Sequence, residues 1–323
     1  MIAIQTIFIG TNGYYSTLSE ALLAVPYRRR AILNLASGIY REKVFCEKRN
    51  ITITGAGPGK TVIAWGDGAY HKHADGRNTG TFRSYTAFFG GERLRLENLS
   101  VINEAGDGRE AGQGIAVYAD AREAVFKNVE FIGRQDTLFL APLPKKERIV
   151  GGFLGPRALS PRVLTRQNFI DCRIEGDVDF IFGGADAVFD RCEIISRDRG
   201  EAVNGYAAAP SGFSGGLGLV FRDCRFTSPD CRPGSVYLGR PWRPHGKAAL
   251  LRCFIGEHIN PAGWASWGSG KNLASFSEYA NSGPGASLDN RADWVVKLDA
   301  AQAEILDKRA SEHVERLKKA LHY

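Results

Sequence analysis

Four tetrapeptides decide how this chain is read: Asp171–Ile174 (DCRI), Arg191–Ile194 (RCEI), Asp223–Phe226 (DCRF) and Arg252–Ile255 (RCFI). Each is a polar residue, Cys, any residue, then an apolar one. The frame recurs without cysteine in Asn50–Ile53 (NITI), Asn98–Val101 (NLSV) and Asn128–Phe131 (NVEF), where Ile51, Leu99 and Val129 fill the slot that Cys172, Cys192, Cys224 and Cys253 take later. Slots are separated by 48, 30, 43, 20, 32 and 29 residues; 48 reads as two coils and 43 as one coil with an insertion. A unit of about 20 to 30 residues holding one alternating strand and a turn cannot bury its apolar edge alone, so units must stack. Asp, Asn and Gly corners without intervening helices predict a parallel β-helix. Alternation turns the slot residue and the apolar residue two positions later inward. The cysteines are then stacked, reduced core residues, with disulfides between adjacent coils the alternative in an oxidising compartment.

Composition agrees. With 323 residues, 44% hydrophobic and 24% charged, the chain is globular, and 38 glycines suit frequent turns. One domain over residues 1–323 is expected. Short helices belong at the ends: Thr17–Val25 (TLSEALLAV), and a C-terminal stretch at about Leu298–Leu321 placed to close the last coil, whose open edge needs cover. The net charge of +7 favours an anionic partner, but the basic clusters YRRR (Tyr27–Arg30) and PKKER (Pro144–Arg148) read as solvated loops, and no nucleic-acid motif accompanies them. No segment has the length of a membrane span, and MIAIQTIFIG lacks the marks of a signal peptide; the expected location is extracellular or periplasmic if a signal was removed, otherwise cytoplasmic.

Several motifs resemble sites without meeting their requirements. GAGPGKT (Gly55–Thr61) lacks the first glycine of a phosphate loop, because position 54 is Thr54. GFSGG (Gly212–Gly216) matches a nucleophile elbow, yet Ser214 lies in a loop that leads into a strand rather than a helix. His71 and His73 read as loop polars, and no cysteine pair has zinc spacing, so neither a metal nor a cofactor is expected.

Polar residues that a strand-rich core should not carry remain: Gln113, Gln135 with Asp136, Asp177 with Asp179, and Arg240 with Trp242. In a solenoid, residues on one face of successive coils become neighbours across tens of residues. Taken singly, each is as readily a polar rung of a turn.

The motifs QDTL (Gln135–Leu138), GDVDFIFGGA (Gly176–Ala185) and LGRPW (Leu238–Trp242), in that order and flanked by ITGAGPGKT, TFRSYTAFF, NPAGWASW and YANSGPGAS, resemble the pectin methylesterases to about Trp294, with an inserted segment in the bacterial manner. The resemblance implies a single-stranded, right-handed parallel β-helix that acts as a monomer on methyl-esterified homogalacturonan. It also implies a nucleophile at Asp179, an acid/base at Asp136, an arginine partner at Arg240, oxyanion donors at Gln113 and Gln135, and sugar contacts at Trp242, Phe139, Phe182, Trp264 and Phe82. Asp177 has no family role and reads as an outward carboxylate. Gly114 replaces the family's Ala, a change expected to loosen that strand. The insertion, roughly residues 140–164, is expected to wall the cleft, with PKKER either contacting carboxylates already freed on the product or, the favoured reading, serving solubility. Two rival functions stay open: a non-catalytic binder of acidic polysaccharide, and a same-fold esterase or thioesterase with another substrate. The motifs of pectate lyases and polygalacturonases are missing.

Overall fold

The computed structural model describes residues 4–11, 13–213, 215–267 and 274–321. They form a right-handed parallel β-helix. A full coil runs through three strands, as in Asp186–Asp190, Glu193–Ser196 and Gly205–Pro210. Strands inside the stack pair in parallel with their equivalents on the coils before and after them.

The corner after the first strand explains the repeat. Asn98, Asn128, Asp171, Arg191, Asp223 and Arg252, the polar residues that open the tetrapeptides, all have left-handed backbone with φ between 52° and 57°. One such residue turns the chain and drops the next side chain inward. Asn and Asp tolerate this conformation best, and ladder contacts support it. Asn128 Nδ2 donates to Asn98 Oδ1 at 2.8 Å, Arg191 Nε to Asp171 Oδ1 at 2.8 Å, and Arg252 Nε to Asp223 Oδ1 at 3.0 Å.

Behind the corner, Cys172, Cys192, Cys224 and Cys253 are buried free thiols in one core, as expected for a reduced ladder. Phe126, Phe169, Phe189 and Phe221 stack beside them with centroids 4.5–4.6 Å apart. The expectation for Ile51 fails. Asn50 turns a different corner together with Arg93, and Ile51 pairs with Leu94, a single coil away, while Leu99 pairs with Val129. The 48-residue step was therefore a comparison between two corners.

The N-terminal end matches the expectation and the C-terminal end departs from it. The helix Leu18–Ala24 starts at Thr17, whose side chain and Glu20 form a reciprocal cap, and it packs on Val44–Cys46, the edge strand of a seven-stranded sheet. The C-terminal helix Ala300–Leu321 is long, and it does not close the last coil. Its buried residues Ala303, Ala310, Val314 and Leu317 lie along the outer face of the β-helix, against Val125, Val188, Val220 and Leu251. The final coil is filled instead by Trp264, Phe276 and Trp294 around a buried ion pair, Arg291 Nε to Glu278 Oε1 at 2.8 Å. Trp264 Nε1 and Asn281 Nδ2 complete the carboxylate's partners at 3.0 Å each. Replacing Arg291 by Met strands a buried carboxylate, which typically costs about 3–5 kcal/mol. Urea unfolding of Arg291→Met should show that loss, and an unchanged midpoint would refute the role of the pair.

Candidate active site

The seven-stranded sheet carries the site. Its strands are Val44–Cys46, Ala87–Phe89, Val117–Ala119, Leu138–Leu140, Val178–Gly183, Gly205–Pro210 and Val236–Gly239. Register puts Phe88, Tyr118, Phe139 and Phe182 in one row across the outer face. Phe82, Phe153 and Trp242 cover that row and close an aromatic cluster beneath a cleft of about 380 Å³.

Three levels of the sheet present charge to the cleft, with the strand Gly205–Pro210 lying between the second and the third. Asp136 is separated from Leu138–Leu140 by Thr137 alone, Asp179 lies within Val178–Gly183, and Arg240 follows Val236–Gly239. Gln113, Gln135, Asp136, Asp179, Arg240, Trp242, Phe82 and Phe182 all line the cleft, so most of the polar and aromatic residues named from motifs do converge. Arg240 grips Asp179 with both arms of its fork, Nε to Oδ1 at 2.8 Å and Nη2 to Oδ2 at 2.7 Å. The guanidinium is itself held between the rings of Tyr206 and Trp267, 3.8 and 4.0 Å from their centroids.

The two acids are in unequal surroundings. Both are buried, and burial pushes both carboxyls upward. Asp179 is pulled back by the Arg240 hydrogen bonds and charge. Asp136 is pushed well above the carboxylate range by burial and then by the charge of Asp179, with Arg240 opposing. Of the pair, Asp136 is thus the one whose protonated form the surroundings favour more. Both also sit in left-handed backbone, Asp136 at φ 66° and Asp179 at φ 52°, a conformation that local strain makes uncommon away from glycine.

That conformation corrects the reading of Asp177. Simple alternation would turn Asp177 and Asp179 to solvent, but the strand register shifts between Val178 and Ile181, and Phe180 and Ile181 both enter the core. Asp177 is buried. It accepts from the Val178 N–H at 2.7 Å and pairs with Arg134 Nε at 3.0 Å, while its own N–H donates to the Arg134 carbonyl. The Asp136 N–H donates to the Val178 carbonyl at 3.0 Å. Asp177 and Arg134 therefore tie the segment before Asp136 to the segment before Asp179. Gly205 lets the next coil pass: a Cβ there would lie 2.0 Å from the Asp177 carbonyl oxygen.

Other expectations also shift. Trp264 does not line the cleft, since its indole is committed to Glu278 inside the last coil; Trp267 lines it instead. Phe139 lies fully buried beneath Phe182 and Trp242, a floor rather than a lining residue. Gly114 does not loosen a strand. A side chain there would collide with Asn103, whose Nδ2 serves the carbonyls of Asp67, Ser84 and Ile115, and whose Oδ1 accepts from Ala105. His71 and His73 are loop residues in local hydrogen bonds, as expected, and among the described residues no group of three potential metal ligands converges. Ser214 lies outside the described residues. The insertion does wall the cleft, through Arg148, Ile149, Gly152 and Phe153, so PKKER is not merely a solubilising loop. Sequence reasoning reached Arg148 only as part of PKKER and missed Phe153, Arg243 and Trp267; two tryptophans three residues apart were the signal available for the last.

A family model described as Pectinesterase matches residues 6–143 and 162–313, leaving part of the insertion unmatched. Pectinesterase 31 of Arabidopsis thaliana is 32% identical over 297 residues, covering 89% of this chain and 85% of that protein. The pectinesterase of Petunia integrifolia is 30% identical over 90% of this chain and 73% of its own length. Among solved structures, pectin methylesterase from Yersinia enterocolitica superposes with a TM-score of 0.75 at 26% identity, covering 90% of this chain and 96% of that one. The carrot enzyme gives 0.74 at 26%, covering 91% and 89%. On the family match and the identity to its curated relatives, the chain belongs to the pectinesterase family.

Proposed function

We propose that this protein hydrolyses the methyl esters of homogalacturonan, releasing methanol and leaving free carboxylates. The observation that carries this reading is a carboxylate gripped by an arginine in one cleft with a second buried carboxyl that has no such partner, and two glutamines line the same cleft. An Asp179 oxygen attacks the ester carbonyl carbon, and the oxyanion that forms accepts from the side-chain amides of Gln113 and Gln135. On collapse the C–O bond to the methoxy group breaks and Asp136 gives its proton to that oxygen, so methanol departs and an acyl anhydride remains on Asp179. Asp136, now a carboxylate, takes a proton from water as the water attacks the sugar's carbonyl carbon. The sugar acid leaves and Asp179 is regenerated as a carboxylate against Arg240.

Asp179→Ala should lower methanol release from highly methylated pectin by about a thousandfold or more, whereas Ser214→Ala should remain within about twofold of wild type. Methanol release unaffected by Asp179→Ala would rule out the acyl-enzyme route. Gln135→Ala should reduce kcat by about a hundredfold with a smaller effect on KM, the mark of a donor used mainly in the transition state. A change confined to KM would instead mark Gln135 as a substrate-binding residue only.

Asp136 also makes a stability prediction. Its folded-state pKa is raised, so the folded protein binds that proton more tightly than the unfolded chain does. Its contribution is therefore fully present below the ordinary Asp value of about 3.9 and is lost as pH rises through the elevated folded value. Asp136→Asn removes the ionisation and suits left-handed backbone. Thermal unfolding should find this inactive variant more stable than wild type at pH 8, with the gap closing toward pH 4. A variant less stable than wild type across that range would contradict the assignment.

A further inference from the structure

The insertion is built to hold its tip in place. Arg157 pairs with Asp120 and, at 2.8 Å, with Glu47, and it stands over the Phe88 ring at 5.3 Å. Arg162 donates to the carbonyls of Arg157 and Ser160 at 2.7 Å each and to that of Ala158 at 2.9 Å. Phe153 packs edge-on against Phe82 and Trp242, at 5.6 and 6.5 Å between centroids. From this base the tip brings Arg148 to the rim of the cleft.

There it meets Arg243. Arg148 Nη2 and Arg243 Nη1 both donate to the Trp242 carbonyl, at 3.1 and 2.9 Å. Arg243 lies over the Trp242 ring at 4.5 Å, and Arg148 over Trp267 at 5.3 Å, the same indole that touches Arg240. Among the described residues, neither guanidinium has a carboxylate within 4.0 Å. Burial and the neighbouring Arg148 charge pull Arg243 down to about 10. Two cations held side by side without a counter-ion are unfavourable until an anion joins them. The planar fork of arginine matches a carboxylate.

The reaction proposed above turns a neutral ester into a carboxylate, so a partly processed polymer carries both groups. We propose that Arg148 and Arg243 form a subsite for a free uronate carboxylate on a sugar near the ester being hydrolysed. The subsite rests on the methylesterase reading for its role, and it makes each carboxylate released a ligand that favours attack nearby. Arg148 lies in residues 144–161, between the two stretches that the family model matches, whereas Arg243 lies within the second of them.

Calorimetric titration with a fully de-esterified galacturonate hexamer, which undergoes no turnover, tests the subsite. Arg148→Gln should weaken binding by about three- to fivefold, and Arg148→Gln with Arg243→Gln by about tenfold. Lys145→Gln, which removes one charge from the same segment outside the cleft, should stay within about twofold. In competition between fully and half-esterified hexamers, wild type should release methanol faster from the half-esterified one, and the double variant should lose that preference. Hexamer affinity equal to wild type in the double variant, or an equal loss in Lys145→Gln, would overturn the subsite. Arginine-dependent hexamer binding without methanol release from either ester would uphold the subsite and overturn the esterase reading.

Discussion

A left-handed residue at the same corner of successive coils, from Asn98 to Arg252, sets the geometry on which the rest of the molecule depends. It turns each strand into the next at a constant angle, and its side chain bonds to the corner above or below. With that register fixed, like stacks on like: cysteine under cysteine, phenylalanine under phenylalanine. The same register lays Gln113, Gln135, Asp136, Asp179 and Arg240 along one face although they are distant in sequence. Loop closure has already been achieved by the stacked coils, so the site is preorganised rather than assembled on binding.

The site reuses the corner's conformation for another purpose. Asp136 and Asp179 are left-handed as well, and at Asp179 this breaks the strand's alternation, leaving both acids at the floor of a cleft instead of in open water. Burial is costly for both, and Arg240 offsets it for only one. That asymmetry separates a nucleophile from a proton donor. The Asp177 and Arg134 pair beneath them ties the two segments together, so the spacing of the acids is held by a contact that touches neither.

Much of this was legible. The cysteine frame disclosed the solenoid because one environment repeats on every coil and selects one residue type. It misled at Ile51 because Asn50 occupies a different corner with the same local chemistry. Alternation could not place Asp177, since a single left-handed residue reverses the faces of a strand and leaves no mark on its apolar pattern. Nor could it place the C-terminal helix: Val125, Val188, Val220 and Leu251 point away from the core, and only the coil's three-dimensional path reveals them as an apolar stripe. The acids, the glutamines and Arg240 were found through short motifs, while the choice between Trp264 and Trp267 turned on Glu278, a partner that no motif contained.

The insertion adds a layer that family motifs do not describe. Its anchors are ion pairs to the rigid coils and carbonyl contacts within the insertion itself, and its tip sets cationic side chains beside a cleft whose chemistry creates anions. All of it presupposes the division of one proton between two carboxyls. A carbon-13 NMR titration of aspartate-labelled protein, with the two side-chain resonances assigned through Asp136→Asn and Asp179→Asn, reads that division directly. The account predicts that near neutral pH Asp136 is protonated while Asp179 is ionised; finding the proton on Asp179, or both groups ionised, would contradict it.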